Sequence, residues 1–372
     1  MPPDARPGQL LLARRRELPF SFFPVGRGSR RYGIFDVQFA SSPWAVMHGA
    51  INTRALAEHR DEAKAFLEQA QDFYETASGR VAAHPLLFYY AFLNLAKALL
   101  RARRFAGPLD FASHGLYERR APGAVQPEDV EIVVGDPRAG RTDVYAELIE
   151  TLGFPRPNPG DSYRAADLMS QVVVGHRLWR EATGESERIH ALEQVEFRQD
   201  TSAKEIWLRL YLDERTLSRH GISQTNLLNE AGLNASFRVV ASDDISAHLL
   251  CLEQAQTTTY NHRATDAVME LVRFARPLLW RVASAVPSGS YRRYYLVMTP
   301  AGTVRIPQLA SIWVLLFYLG SIVRYRPHLF DEVQAGPYGA FVDEFVSSQP
   351  HQLLYLLASE MCQREIAKPA II

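Results

Sequence analysis

The chain has 372 residues, more than one typical core holds, so two or three domains or subdomains are expected. At 47% hydrophobic and 22% charged residues it has a globular composition, which excludes disorder throughout. The formal net charge is zero, so no global field draws it to nucleic acid or to an anionic membrane, and such a contact would need a local basic patch.

The basic residues are almost all Arg. Lys occurs only at Lys64, Lys97, Lys204 and Lys368, a skew that reads as GC-rich coding rather than as function. Cys251 and Cys362 make neither a disulfide framework nor a zinc site, and fit a reducing cytoplasm. The opening MPPDARPGQLLLARRREL has too short an apolar run for a signal peptide. The longest apolar candidate for a membrane span, Ile306 to Val323, is broken by Pro307, Gln308 and Gly320, so no membrane contact is expected.

In chain order, residues 1–43 read as a Pro-, Gly- and Arg-rich arm with a short strand near Gly33–Phe39. Arg14, Arg15, Arg16, Arg27, Arg30 and Arg31 make it basic. It is a solvated arm or, more sharply read, a contact to nucleic acid or to an acidic partner. A helix is expected over 53–77, where Ala63, Phe66, Leu67, Ala70, Phe73, Tyr74 and Ala77 form one stripe ended by Gly79. His84-Pro85 opens the next helix, PLLFYYAFLNLAKALL, apolar nearly all round and hence buried on most sides.

A strand at Glu128–Val134 and a helix at Thr142–Leu152 follow, then the linker GFPRPNPG and a helix over Tyr163–Thr183. EIWLRLYL, residues 205–212, alternates strictly and predicts a half-buried strand. With Val195–Phe197, Phe237–Val240 and Leu249–Ala255 it predicts a small antiparallel β subdomain. A helix over 264–285, a strand at Arg292–Met298, a very apolar helix at Leu309–Arg324 and a last helix at Pro350–Ile366 complete the reading. The class expected is α+β, predominantly α-helical, with two helical blocks and the β subdomain between them in sequence. The divisions are 1–43, 44–125, 126–189, 190–260 and 261–372.

Three segments together resemble the YaaC-like family of bacterial proteins: FLEQAQDFYETA running on into PLLFYYAFLNLAKALL, then SHGLYERR at 113–120, then IPQLASIWVLLFYLGSIVRYRP at 306–327. The family pattern is a PLL-x-YY…NL-x-KA helix, an HGL turn and a late YxLS…RY helix, with Gly320 here in place of the Ser. The resemblance spans about 44–350. It implies a bacterial cytoplasmic protein, with some relatives in phage-defence gene clusters, and it carries no activity or cofactor with it.

Five polar residues stand out as candidate binding residues. Asn94 and Lys97, three apart, share a face of the most apolar helix. A lysine there needs a carboxylate, a helix end or an anionic ligand. His114, in the HGL turn, is either a structural imidazole or an acid, base or anion donor. Arg324 and Arg326 read first as cations capping the late helix. Lys97 and His114 are the candidates for catalysis. Arg80-x3-His84 and Arg324-x3-His328 invite comparison with HEPN ribonucleases, but each is one residue short, Pro85 follows the first His, and Pro327 lies inside the second motif. No P-loop, GxGxxG, HExxH, GxSxG or CxxC is present. Asp243-Asp244 and Asp343-Glu344 lack metal-ligand spacing, and no cofactor or metal is expected. The expected role is interaction with a protein partner or a second copy. The rival is a nuclease or other phosphate-handling enzyme, favoured if Asn94, Lys97, His114 and Arg324 converge on one pocket.

Overall fold

A computed structural model of the chain describes residues 2–13, 15–18, 20–23, 37–79, 84–136, 141–241, 246, 248–264, 267–268, 271, 278, 282–285, 293–299 and 302–369. In chain order the strands as far as Gln254 are β1 (Gln9–Leu10), β2 (Leu12–Ala13), β3 (Arg16–Glu17), β4 (Val37–Phe39), β5 (Leu116–Arg119), β6 (Glu131–Val134), β7 (Ser162–Arg164), β8 (Ile189–Ala191), β9 (Gln194–Asp200), β10 (Glu205–Asp213), β11 (Phe237–Val240) and β12 (Leu249–Gln254). The helices are α1 (Pro43–Arg54), α2 (Arg60–Ser78), α3 (His84–Ala102), α4 (Val144–Thr151), α5 (Ala165–Met169), α6 (His176–Thr183), α7 (Glu214–Arg219), α8 (Gln224–Glu230), α9 (Gln308–Tyr325), α10 (Pro327–Ala335) and α11 (Gly339–Cys362). The class is α+β. The chain divides into two compact units, each drawn from separate stretches of sequence.

One unit gathers Met1–Gln38, Ser186–Ala285 and Tyr291–Arg305. Its sheet runs β1-β9-β10-β12-β11, antiparallel in every pair. Ile206, Leu208, Leu210 and Leu212 all face one core and are fully buried, as their alternation predicts. The opposite face of β10 is not the solvated one expected of a half-buried strand. Trp207, Arg209 and Tyr211 are buried as well. The N-terminal segment bonds to this sheet. Arg6 donates its backbone N–H to Glu253 at 3.1 Å, and Arg209 Nη2 donates to the Arg6 carbonyl at 2.7 Å. Ala5 N–H bonds to Ala241 at one edge, and β1 pairs with β9 at the other. Arg209 and Glu253 form an ion pair at 3.1 Å with both side chains at or below 1% exposure.

The other unit gathers Phe39–Glu185, Val286–Ser290 and Ile306–Ile372. Its centre is α3, packed against α2, α9 and α11. Helix α9 is buried from Gln308 through Ile322, because its apolar residues surround it and leave no polar face to turn outward. By length and composition α9 could cross a membrane, but 83% of that stretch is buried in the protein, as in a core helix. The beginning of α3 comes so close to α9 that a Cβ on Gly320 would lie 3.3 Å from Leu86 Cα. A small antiparallel sheet, β5-β6-β7, adjoins these helices in sequence and carries Tyr117 and Glu118.

Several boundaries differ from expectation. The helix predicted from 53 starts at Arg60, and a separate α1 precedes it. The helix predicted over 163–183 is broken. Tyr163 lies in β7, and α5 and α6 are separated by a turn in which Gly175 takes φ +94°, a conformation that breaks helical repetition. The last helix starts at Gly339 rather than at Pro350. Pro350 sits buried inside α11, where packing outweighs the one backbone hydrogen bond that proline removes. Most of the helix expected over 264–285 lies outside the described residues, and Val282–Ala285 is a strand paired with Arg293–Val297. Asp243, Asp244, Arg14, Arg27, Arg30 and Arg31 also lie outside them, as does most of the strand expected at 33–39, of which β4 is described.

Candidate functional site

The site begins with a turn that only glycine allows. Gly115 has φ +84°, and a Cβ there would lie 1.6 Å from Asp143 Oδ1. Asp143 is fixed in turn, since its carboxylate accepts the Ala146 N–H at 3.2 Å and caps α4. Ser113 N–H bonds to the Thr142 carbonyl at 2.8 Å, and Gly135 N–H to the Gly115 carbonyl at 2.8 Å. These bonds set the direction of the neighbouring His114.

The His114 ring lies 5.4 Å from Phe317 on α9 and 6.2 Å from Tyr89 on α3, between centroids. Leu116 N–H donates to His114 Nδ1 at 3.4 Å, which assigns the proton of the neutral ring to Nε2. Burial, and after it the charge of Arg324, hold the imidazole below its ordinary pKa of 6.5. At pH 7 His114 therefore presents a neutral N–H donor.

Arg324 leaves the last turn of α9 on the same side. Its Nη1 donates to the Tyr90 hydroxyl, and its guanidinium carbon lies 4.9 Å from the Tyr325 ring centroid and 5.9 Å from that of Tyr90. Among the described residues no carboxylate pairs with it. Arg326, two residues on, donates to Glu118 Oε2 at 2.6 Å, and Arg120 Nε reaches the same oxygen at 3.3 Å. Arg324 lies in the last turn of α9 and Arg326 is its C-cap residue, the end at which cations are favoured, while their side-chain bonds go to Tyr90 and Glu118. Glu118 Oε1 is buried and has no hydrogen-bond partner among the described groups, and the same holds for the Tyr89 hydroxyl.

His114 and Arg324 line one cleft of about 230 Å³ that opens to solvent between α3, α9 and the HGL turn. Leu86, Tyr89 and Tyr90 come from α3; Phe317, Gly320, Ser321 and Tyr325 from α9; Leu116, Tyr117 and Glu118 from the turn and β5. Asn94 and Lys97 do not line it. Asn94 is buried. Lys97 Nζ lies 5.1 Å from the centroid of Phe66, and burial lowers its pKa against the opposing pull of Glu62 and Asp110. Of the HEPN-type pairs, Arg80 lies outside the described residues, and His328, exposed on α10, does not line the cleft. Asp343 accepts a hydrogen bond from Gln334 at 2.8 Å, as befits a surface residue. Among the described residues no three His, Cys, Asp or Glu side chains are grouped to hold a metal ion.

The model of the YaaC-like protein family matches residues 35–361. The chain belongs to the YaaC-like family. No curated protein matches it. Every residue lining the cleft comes from one of the three stretches, PLLFYY, HGLYE and FYLGSIVRY, that carry the resemblance to this YaaC-like pattern. Sequence reasoning reached His114 and Arg324 but passed over Glu118 and the tyrosines. Their signal lay in those stretches: Tyr89, Tyr90 and Tyr325 are motif positions, and Tyr117 directly follows the HGL turn.

Proposed function

We propose that this protein binds a small ligand bearing an oxyanion in the cleft between α3, α9 and the HGL turn, with His114 and Arg324 as the donors. The observation that carries the reading is Arg324: a guanidinium without a carboxylate partner among the described residues, at the mouth of an aromatic-walled cleft. A phosphate or carboxylate accepts two parallel N–H bonds from guanidinium and a third from a neutral imidazole. The rings of Tyr90 and Tyr325 keep the guanidinium in place without neutralising it. Helices α3 and α9, both in one compact unit, serve as the scaffold of this site. In this reading the role is recognition of the ligand.

Ribose 5-phosphate titrated calorimetrically into the full chain tests the reading. Arg324→Gln is expected to weaken binding by roughly 10- to 100-fold, the value of a hydrogen bond to a charged group. Equal affinity in the two proteins would overturn it. A second reading, assembly through an exposed apolar surface, is favoured by Tyr325 and Tyr117 of the cleft, 65% and 48% exposed, and by Phe111, 76% exposed. It predicts a dimer or larger species in size-exclusion with light scattering, converted to monomer by Phe111→Ser with Tyr325→Ser.

A further inference from the structure

The oxyanion accounts for one end of the cleft, and the other end asks for the opposite kind of group. Glu118 is nine-tenths buried, with a side-chain exposure of 10%. Both arginines that approach it bond to Oε2. Oε1 is left buried with no donor among the described groups. A buried carboxylate oxygen without a donor is destabilising, so a ligand that supplies an N–H there gains what the free protein lacks. Two guanidiniums already offset the Glu118 charge, and Arg324 adds a third cation nearby. The cleft as a whole therefore favours a ligand of net negative charge. That argues against a zwitterion such as an aromatic amino acid, whose ammonium group would meet this surplus of cations.

Between the two ends the walls are aromatic. Tyr89, Tyr90 and Phe317 form the inner wall, and Tyr117 and Tyr325 stand at the rim. Such walls accept a flat ring by stacking, which tolerates any base because every base has a π-face. At about 230 Å³ the space is below the usual ~300–1,000 Å³ of a drug-sized pocket, so it takes a single base with its sugar toward solvent.

Resting on the oxyanion reading above, we infer that the ligand is a mononucleotide whose base carries an exocyclic amine, with the phosphate at Arg324 and His114, the base against the tyrosines and the amine donating to Glu118. No bond is made or broken. The base is recognised through its N–H, and the charge through the guanidinium.

The test is calorimetric titration of the full chain with adenosine 5′-monophosphate, purine riboside 5′-monophosphate, ribose 5-phosphate and tryptophan. Purine riboside monophosphate differs from the first only in lacking the amine. The inference predicts that adenosine monophosphate binds at least 10-fold more tightly than purine riboside monophosphate, and that tryptophan binds more weakly than either. In Glu118→Gln the first difference should shrink to within about 2-fold. If that variant does not fold, the ligand series on the natural chain still decides. Equal affinity for the two nucleotides, or tighter binding of tryptophan, overturns the inference. If ribose 5-phosphate still binds and still depends on Arg324, the oxyanion reading survives that result. Should no anion bind, both fail together.

Discussion

At the scale of single residues, the turn at 113–116 joins stability to the site. Replacing Gly115 by Ala puts a Cβ against Asp143 in a backbone conformation that L-residues avoid, and yielding by Asp143 would break the α4 cap. We expect a loss of about 2–5 kcal/mol in urea denaturation, the sum of left-handed strain and overpacking. His114 makes stability depend on pH. Its folded pKa lies below the 6.5 of the unfolded chain, so the unfolded state takes up the proton first as pH falls. Stability is full above about pH 7 and declines as pH drops through 6.5 toward the folded value. His351, also lowered by burial, adds to the same decline. The urea midpoint should therefore be lower at pH 5.5 than at pH 7.5, and His114→Gln should make that difference smaller. Binding of an anion should show the opposite trend, strengthening as pH falls, because an imidazolium next to a bound phosphate is stabilised.

At the scale of elements, helices with an unbroken pattern were legible and those with a local interruption were not. Helices α3 and α9 begin and end within two residues of expectation because apolar residues run their whole length and His84-Pro85 and the Pro327 ring mark the ends. The predicted 163–183 helix failed at Gly175, where a positive φ and the Phe341 ring 3.1 Å from a would-be Cβ fix a break that apolar periodicity does not record. Pro350 misled in the other direction, since the packing that tolerates proline in mid-helix comes from residues distant in sequence. Gly320 is an element-scale position as well, where α3 and α9 touch. Gly320→Val should cost about 1–3 kcal/mol by forcing the two backbones apart, measurable as a shift of the denaturation midpoint. It should also weaken ribose 5-phosphate binding, because Gly320 lines the cleft.

At the scale of the whole molecule, the periodicity of the segments pointed to the α+β class but not to the way each unit is stitched from separate stretches. The strict alternation of residues 205–212 correctly placed the apolar face of β10. It said nothing about the cover on the other face, since Arg209 and Tyr211 look solvated until Arg6 and Glu253 are brought beside them. The buried Arg209–Glu253 pair should show this dependence. Arg209→Ala should cost about 3–5 kcal/mol by leaving Glu253 buried with one partner fewer, and Arg209→Met combined with Glu253→Leu should recover only part of the loss, because Arg6 and Arg238 also bond to Glu253. The candidate site was legible in the same partial way. His114 and Arg324 stood out as polar residues in apolar surroundings, whereas Glu118 read as one of several charges in LYERR until folding buried it.

The central claim is that His114 is a neutral donor facing an oxyanion beside Arg324. Long-range ¹H–¹⁵N spectra of the histidine rings test it most directly, with the signal assigned by its loss in His114→Gln among the eleven histidines. The account predicts the Nε2–H tautomer in the free protein at pH 7.5, and a rise in the His114 pKa when ribose 5-phosphate is added, absent in Arg324→Gln. A His114 signal whose pKa stays the same at saturating phosphate ester would contradict it.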